Sequence, residues 1–171
     1  KTIIMERRNF LKISAAGVAG SVLLGPEAVA AQAKKTTLYK KTGNVKVTMG
    51  FIGLGRQAMG LLKGFIGIDE VRVVAGCDVY DIKRDRFERR GNDPVCTTDS
   101  DKIFEIPGLD AVVIATSWKD HVPLCITAMK KGIRPGVEVA GAYSIDQLWQ
   151  LVHTYEETKV PVMFLENCCY G

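Results

Sequence analysis

The chain has 171 residues, 47% of them hydrophobic and 25% charged, and a formal net charge of +4. These fractions are those of an ordinary globular protein with a real core, and they exclude a disordered, collagenous or simple coiled-coil chain. The charge is small and forms no compact Lys/Arg patch, so nucleic-acid binding has no electrostatic support.

The first thirty residues read as an export address. From Met5 the order is Arg7 and Arg8, then Asn9, Phe10, Leu11 and Lys12, then a weakly apolar run from Ile13 to Leu24. Ala28 and Ala30 form an A-x-A cleavage pattern, with Ala31 and Ala33 as a second. A basic start, a short apolar middle and a small-residue exit define a signal peptide, and the run is too short and too rich in Gly, Ala and Ser to span a membrane comfortably. RRNFLK is similar to the twin-arginine signal, which exports proteins already folded. The expectation is a periplasmic or extracellular protein with no stable membrane anchor after cleavage. Residues 31–44 form a polar lead-in, KKTTLYKKTGN at its end, and the folded part is expected from Val45.

Beyond that point apolar strand-like runs alternate with helical stretches. Strands are expected at 45–52, 71–78, 95–97, 110–116, 134–139 and 160–167. Helices are expected at Gln57–Ile68, Asp81–Arg90, Asp99–Ile106, Asp120–Lys131 (closed by Gly132), and from a Ser144 cap to Thr158. The last helix carries Ile145, Leu148, Trp149, Val152 and Tyr155 at helical spacing. Short loops and β-branched apolar strands in this alternation predict an α/β fold, a doubly wound parallel sheet over 45–165.

The turn after the first strand carries the chemistry. In GFIGLGRQAMG, Gly53, Gly55 and Ala58 fit G-x-G-x-x-G/A between a strand and a helix. Gly53 permits the tight turn, Gly55 lets backbone approach a pyrophosphate, and Ala58 lets the helix pack on the sheet. The N–H groups from Gly53 and Leu54 through Arg56 and Gln57 then face the phosphates at the positive helix end. Asp78 ends the second strand, where a carboxylate accepts the adenosine ribose hydroxyls and repels a 2′-phosphate. NAD is the expected cofactor. Lys83 and Arg84, a turn later, keep NADP open, and glycines in an ordinary strand–helix turn are the plain alternative.

Metal chemistry is not expected. Cys77, Cys96, Cys125, Cys168, Cys169, His121 and His153 form no C-x-x-C, no H-E-x-x-H and no repeating spacing. The cysteines are read as thiols, and His153 as a surface or packing histidine. His121 is open between a pocket role and a helix-start role satisfying nearby backbone, and Trp118 between a cofactor contact and a crevice wall. Glu138 falls at a strand's carboxyl end, where open α/β sheets bind ligands.

Residues 110–139, DAVVIATSWKDHVPLCITAMKKGIRPGVEV, resemble the Gfo/Idh/MocA oxidoreductases, with Thr116, Ser117, Trp118, His121, Gly132 and Glu138 in the family's places. With Gly53, Gly55 and Asp78, the resemblance covers about 45–171 and implies a Rossmann NAD-binding domain. One departure matters: the Glu-Lys-Pro lysine is Val139 here and the proline is Ala140. Dehydrogenation through that lysine is therefore not implied. The stretch from Glu138 to Gly171 is similar instead to the NAD-dependent glycosidases of glycoside hydrolase family 109, through Glu138–Val139, the Trp118–His121 turn, and Glu166, Asn167, Tyr170 and Gly171.

That resemblance implies NAD contacts from Trp118–His121, Glu138–Val139 and Asn167, with Tyr170 on the sugar side. It also implies a glycosidase outside paired-carboxylate hydrolysis: oxidation of a sugar hydroxyl at C3, elimination of the aglycone, hydration, and reduction by the retained hydride. Residues 166–171 would open a second α+β domain that supplies most substrate contacts and the subunit interface, making the parent a homo-oligomer and this chain alone inactive. A sugar dehydrogenase of the same fold and a non-catalytic nucleotide-binding module remain the alternatives.

Overall fold

The computed structural model describes residues 47–91, 94–166 and 168. The export signal, the lead-in, Asn167 and Tyr170 lie outside the described residues. The elements run β1 (Val47–Ile52), α1 (Arg56–Ile66), β2 (Val71–Cys77), α2 (Asp81–Glu88), β3 (Val95–Thr97), α3 (Ser100–Phe104), β4 (Ala111–Ile114), α4 (Trp118–Lys130), β5 (Arg134–Val137), α5 (Ile145–Thr158) and β6 (Met163–Phe164).

All six strands are parallel, in the order β3-β2-β1-β4-β5-β6. This is the doubly wound arrangement, in which the strand order reverses between β1 and β4. Strand period two divides the core between the faces. Met49 and Phe51 of β1 and Val113 of β4 pack with Ala58, Met59 and Leu62 of α1 and Phe87 of α2. Ile52, Val112 and Ile114 turn the other way, onto Ile103 of α3 and Val122, Cys125 and Met129 of α4. Phe51 is fully buried and packs against two rings, Phe65 at 6.1 Å and Phe87 at 5.4 Å between centroids. Truncating such an aromatic to alanine costs about 4 kcal/mol.

Side chains set several boundaries. Asp99 caps α3 by accepting the Asp101 N–H at 3.0 Å. Ser144 caps α5 by accepting the Gln147 N–H at 3.3 Å, while Gln147 reaches back to the Tyr143 N–H at 2.7 Å. Helix α4 closes at Gly132, φ +78°. Two boundaries differ from the sequence pattern where they bear on function. Helix α4 begins at Trp118 rather than Asp120, because Ser117 takes the extended cap conformation and its carbonyl accepts the Asp120 N–H at 3.0 Å. Strand β5 ends at Val137, so Glu138 and Val139 belong to the turn after it, which bends at Ala140 with φ +66°.

The apolar stripe of α5 is real but faces outward. Ile145, Leu148, Trp149, Val152 and Tyr155 are all exposed, whereas Leu151 and Thr154 turn inward. Helix α5 packs on α4, and helical spacing alone did not distinguish its inner side from its outer one.

Candidate functional site

The residues singled out in the sequence converge at one edge of the sheet. Parallel register brings the carboxyl ends of β1, β2, β4 and β5 level, with Ile52 opposite both Cys77 and Ile114 and Ile114 opposite Val137. The chain leaves each strand through a backbone hydrogen bond to its neighbour. Gly53 N–H donates to Cys77 O at 2.8 Å, Ala115 N–H to Ile52 O at 2.8 Å, and Glu138 N–H to Ile114 O at 3.0 Å. The turns carrying Gly53–Gln57, Asp78, Ala115–Trp118 and Glu138–Val139 therefore stand side by side over the β1/β4 reversal.

Two glycines shape the first turn differently. Gly53 has φ +84°, and a side chain there would lie 2.5 Å from the carbonyl oxygen of Ala115. It is needed for the backbone path and for close packing on β4. Gly55 has an ordinary φ of −72°, and an added Cβ would meet nothing within 4 Å. No contact in the fold requires glycine at that position, so the room it leaves is open to a ligand. Gly55 also caps α1 without a side-chain hydrogen bond, and the first turn of α1 has no acidic residue. The first turn of that helix thus leaves its own amides free of an acidic partner, which suits an anion. Arg56 and Gln57 are exposed there, and Leu54 is buried beneath.

Asp78 is buried at the end of β2, and both carboxylate oxygens accept backbone N–H groups. Oδ2 takes the Leu54 N–H at 2.9 Å and Oδ1 takes that of Tyr80 at 3.0 Å. Lys83 Nζ lies 3.3 Å from Oδ2 and 4.5 Å from the centre of the Tyr80 ring. Arg84 donates to the Asp78 carbonyl at 2.6 Å and pairs with Asp81. Asp78 thus fastens the glycine turn to β2, a role that the motif spacing did not reveal. Val79 and Tyr80, both exposed, add an apolar shelf beside it.

Across the reversal, a crevice of about 380 Å³ is lined by Gln57, Ala115, Thr116, Trp118, His121, Glu138 and Val139. Six of these seven come from the motifs. Ala115 does not, and its only signal is a small residue at a strand end. Ser117 caps α4 beside the crevice, its hydroxyl bonded to the Asp120 carboxylate. Trp118 is exposed at the rim, and His121 is buried in the wall. Glu138 is buried: Oε2 accepts the Val139 N–H at 3.4 Å, and Oε1 has no partner among the described residues. A buried carboxylate oxygen without a donor is costly, a local strain beside the crevice.

No His, Cys, Asp and Glu cluster among the described residues is placed to hold a metal ion. Burial raises the Cys77 thiol to about 11 and the Cys96 and Cys125 thiols to about 12. His153 is exposed on α5, its ring 5.9 Å from that of Trp149.

No family model matches the chain. Individual proteins do. It is 34% identical to a glycosyl hydrolase family 109 protein of Stenotrophomonas maltophilia over 97% of this chain and 36% of that protein. It is 32% identical to the alpha-N-acetylgalactosaminidase of Tannerella forsythia over 96% of this chain and 39% of that one. The chain is a homologue of the glycosyl hydrolase family 109 proteins. It spans well under half the length of these family 109 relatives. Among solved structures, the scyllo-inositol dehydrogenase of Lactobacillus casei with bound NAD(H) and scyllo-inositol matches 74% of this chain and 38% of its own, with a TM-score of 0.68 at 17% identity. At that identity the match speaks for the fold alone.

Proposed function

We propose that residues 45–165 bind NAD, and that the protein carrying them is an exported glycosidase acting through NAD-mediated oxidation, elimination, hydration and reduction of a sugar. The observation that carries the binding reading is the open room at Gly55, the glycine cap of a helix whose first turn has no acidic residue, at the edge where Glu138 lines the crevice. The residues present fit a dinucleotide: phosphate at the α1 amides, a ribose near Asp78, and hydroxyl or amide donors at Glu138. When bound, NAD supplies the hydride acceptor and donor for the sugar carbon.

The chain's own residues would do the rest. The Gly53–Gln57 turn binds the anion, and Trp118 and Val139 wall the crevice against water. Glu138 orients a hydroxyl. Asn167 and Tyr170 are proposed on the cofactor and sugar sides respectively. The glycosidase reading rests on the family 109 relatives and on Val139 standing where a lysine would serve dehydrogenation. Export by the twin-arginine route, with a cofactor loaded before transport, rests on the Arg7–Lys12 motif and the run after it.

Titration calorimetry of this chain with NAD tests the binding, and absence of heat and of any bound nucleotide would end it. For the protein that carries the domain, the assay is a chromogenic N-acetylgalactosaminide or related glycoside, followed at 340 nm. Leaving-group release without net NADH supports the glycosidase. Net NADH on adding a sugar replaces it with the dehydrogenase, and NAD binding with neither reaction leaves a nucleotide-binding module.

A further inference from the structure

We propose that His121 is a positioning residue: it ties the turn after β5 to the turn after β4, and so holds Glu138 in place in the crevice wall. The inference rests on reading this crevice as the ligand site.

His121 stands near the start of α4 and is 1% exposed. Both ring nitrogens face backbone carbonyl oxygens, Nδ1 at 3.0 Å from Ala140 and Nε2 at 3.3 Å from Thr116. One ring therefore spans the exits of two adjacent strands. Both partners are acceptors, so a ring N–H is the donor in either contact, and the shorter one runs from Nδ1 to Ala140.

Ala140 is the residue that needs holding. Its φ of +66° lies in the left-handed region, where a Cβ is disfavoured and a proline ring is impossible. The next residue is pinned as well: a Cβ on Gly141 would lie 1.9 Å from the Phe164 ring, so that ring lies directly on the backbone. At the start of the same turn, Glu138 keeps one oxygen buried and unpartnered. A left-handed non-glycine residue and an orphaned carboxylate oxygen within three positions of each other are local costs of the kind that mark functional sites. The His121–Ala140 hydrogen bond is the contact from outside the turn that fixes its unfavourable residue. Without it Ala140 relaxes toward negative φ and Glu138 turns with it.

The test uses the full chain and two readouts. His121→Ala should speed amide hydrogen exchange at Val139–Gly141 by roughly tenfold and weaken NAD binding by a similar factor. His121→Asn, whose amide nitrogen reaches about as far as Nδ1, should restore most of both. Ala140→Gly, which removes the penalty of positive φ, should rescue NAD affinity in the His121→Ala background. Leu151→Ala, a core truncation on α5 away from the crevice, should lower the Tm without speeding exchange at 139–141. Wild-type exchange in His121→Ala, or equal acceleration in Leu151→Ala, would overturn the positioning role. If the wild-type chain binds no NAD, the reading of the crevice falls, and the exchange data still decide whether His121 holds the turn.

Discussion

The Asp78 carboxylate, at the end of β2, accepts the Leu54 N–H of the glycine turn after β1 at 2.9 Å. A residue proposed for ribose recognition thus also holds the proposed phosphate-binding turn in place. The two roles are compatible, because Oδ1, bonded to the Tyr80 N–H, keeps a second lone pair.

Asp78→Ala should consequently lose both stability and binding. It leaves the buried Leu54 N–H without an acceptor, which costs about 2 kcal/mol, and should weaken NAD at least roughly tenfold. Asp78→Asn, with one carbonyl oxygen left, should fall between. Thermal unfolding and calorimetry on the same samples separate the two effects, and unchanged NAD affinity in Asp78→Ala would remove Asp78 from the site.

The two glycines of the turn should respond in opposite ways. Gly53→Ala forces a side chain against the Ala115 carbonyl at positive φ and should destabilise the chain by more than about 2 kcal/mol. Gly55→Ala meets no protein atom, and the stiffer unfolded chain offsets the poorer helix cap, so the Tm should change little. Its methyl would enter the room proposed for phosphate, and NAD affinity should drop by about tenfold or more. Equal NAD affinity in Gly55→Ala would show that the ligand does not approach that backbone.

Lys83 should set the preference between NAD and NADP. Its ammonium lies 3.3 Å from Asp78 and offsets the charge that would repel a 2′-phosphate. Lys83 is partly exposed, so the effect is screened: Lys83→Gln should lower NADP affinity relative to NAD by roughly fivefold. The measurement is the ratio of the two Kd values, and an unchanged ratio assigns the choice to Asp78 alone.

The thiols should report the fold. At pH 8 a thiol reagent should modify exposed Cys168 while sparing Cys77, Cys96 and Cys125, whose pKa values burial raises to about 11–12. The sign of the linkage follows. These groups stay protonated in the folded chain but ionise from about pH 9 once unfolded. Their contribution to stability is therefore complete below pH 9 and is lost progressively as pH rises toward 11–12. Urea midpoints measured between pH 8 and 11 should fall along that range, and should fall less after Cys125→Ala once its baseline loss is subtracted.

Much of this molecule was legible before any coordinates. The alternation of Val-rich runs with helical spacing is dictated by what a two-sided parallel sheet must bury, so strand order and layer count follow from the pattern and the crossover rules. The glycine turn was legible for a local reason, since glycine takes the positive φ at Gly53 without the penalty that a Cβ brings. Gln57, Thr116, Trp118, His121, Glu138 and Val139 were picked from three separate motifs, and parallel register brings all six to one crevice.

What only the tertiary structure decided depends on contacts between residues far apart in the chain. Helical spacing marked Ile145, Leu148, Trp149, Val152 and Tyr155 as a face, but its exposure follows from where α4 sits. The Asp78–Leu54 bond spans 24 positions, and the His121–Ala140 bond joins a helix to a turn beyond the next strand. A sequence pattern records the period and chemistry of each segment, whereas the partner of a buried polar atom is chosen by three-dimensional packing. That is why the residues of the crevice could be read from the sequence, while the bonds that hold them could not.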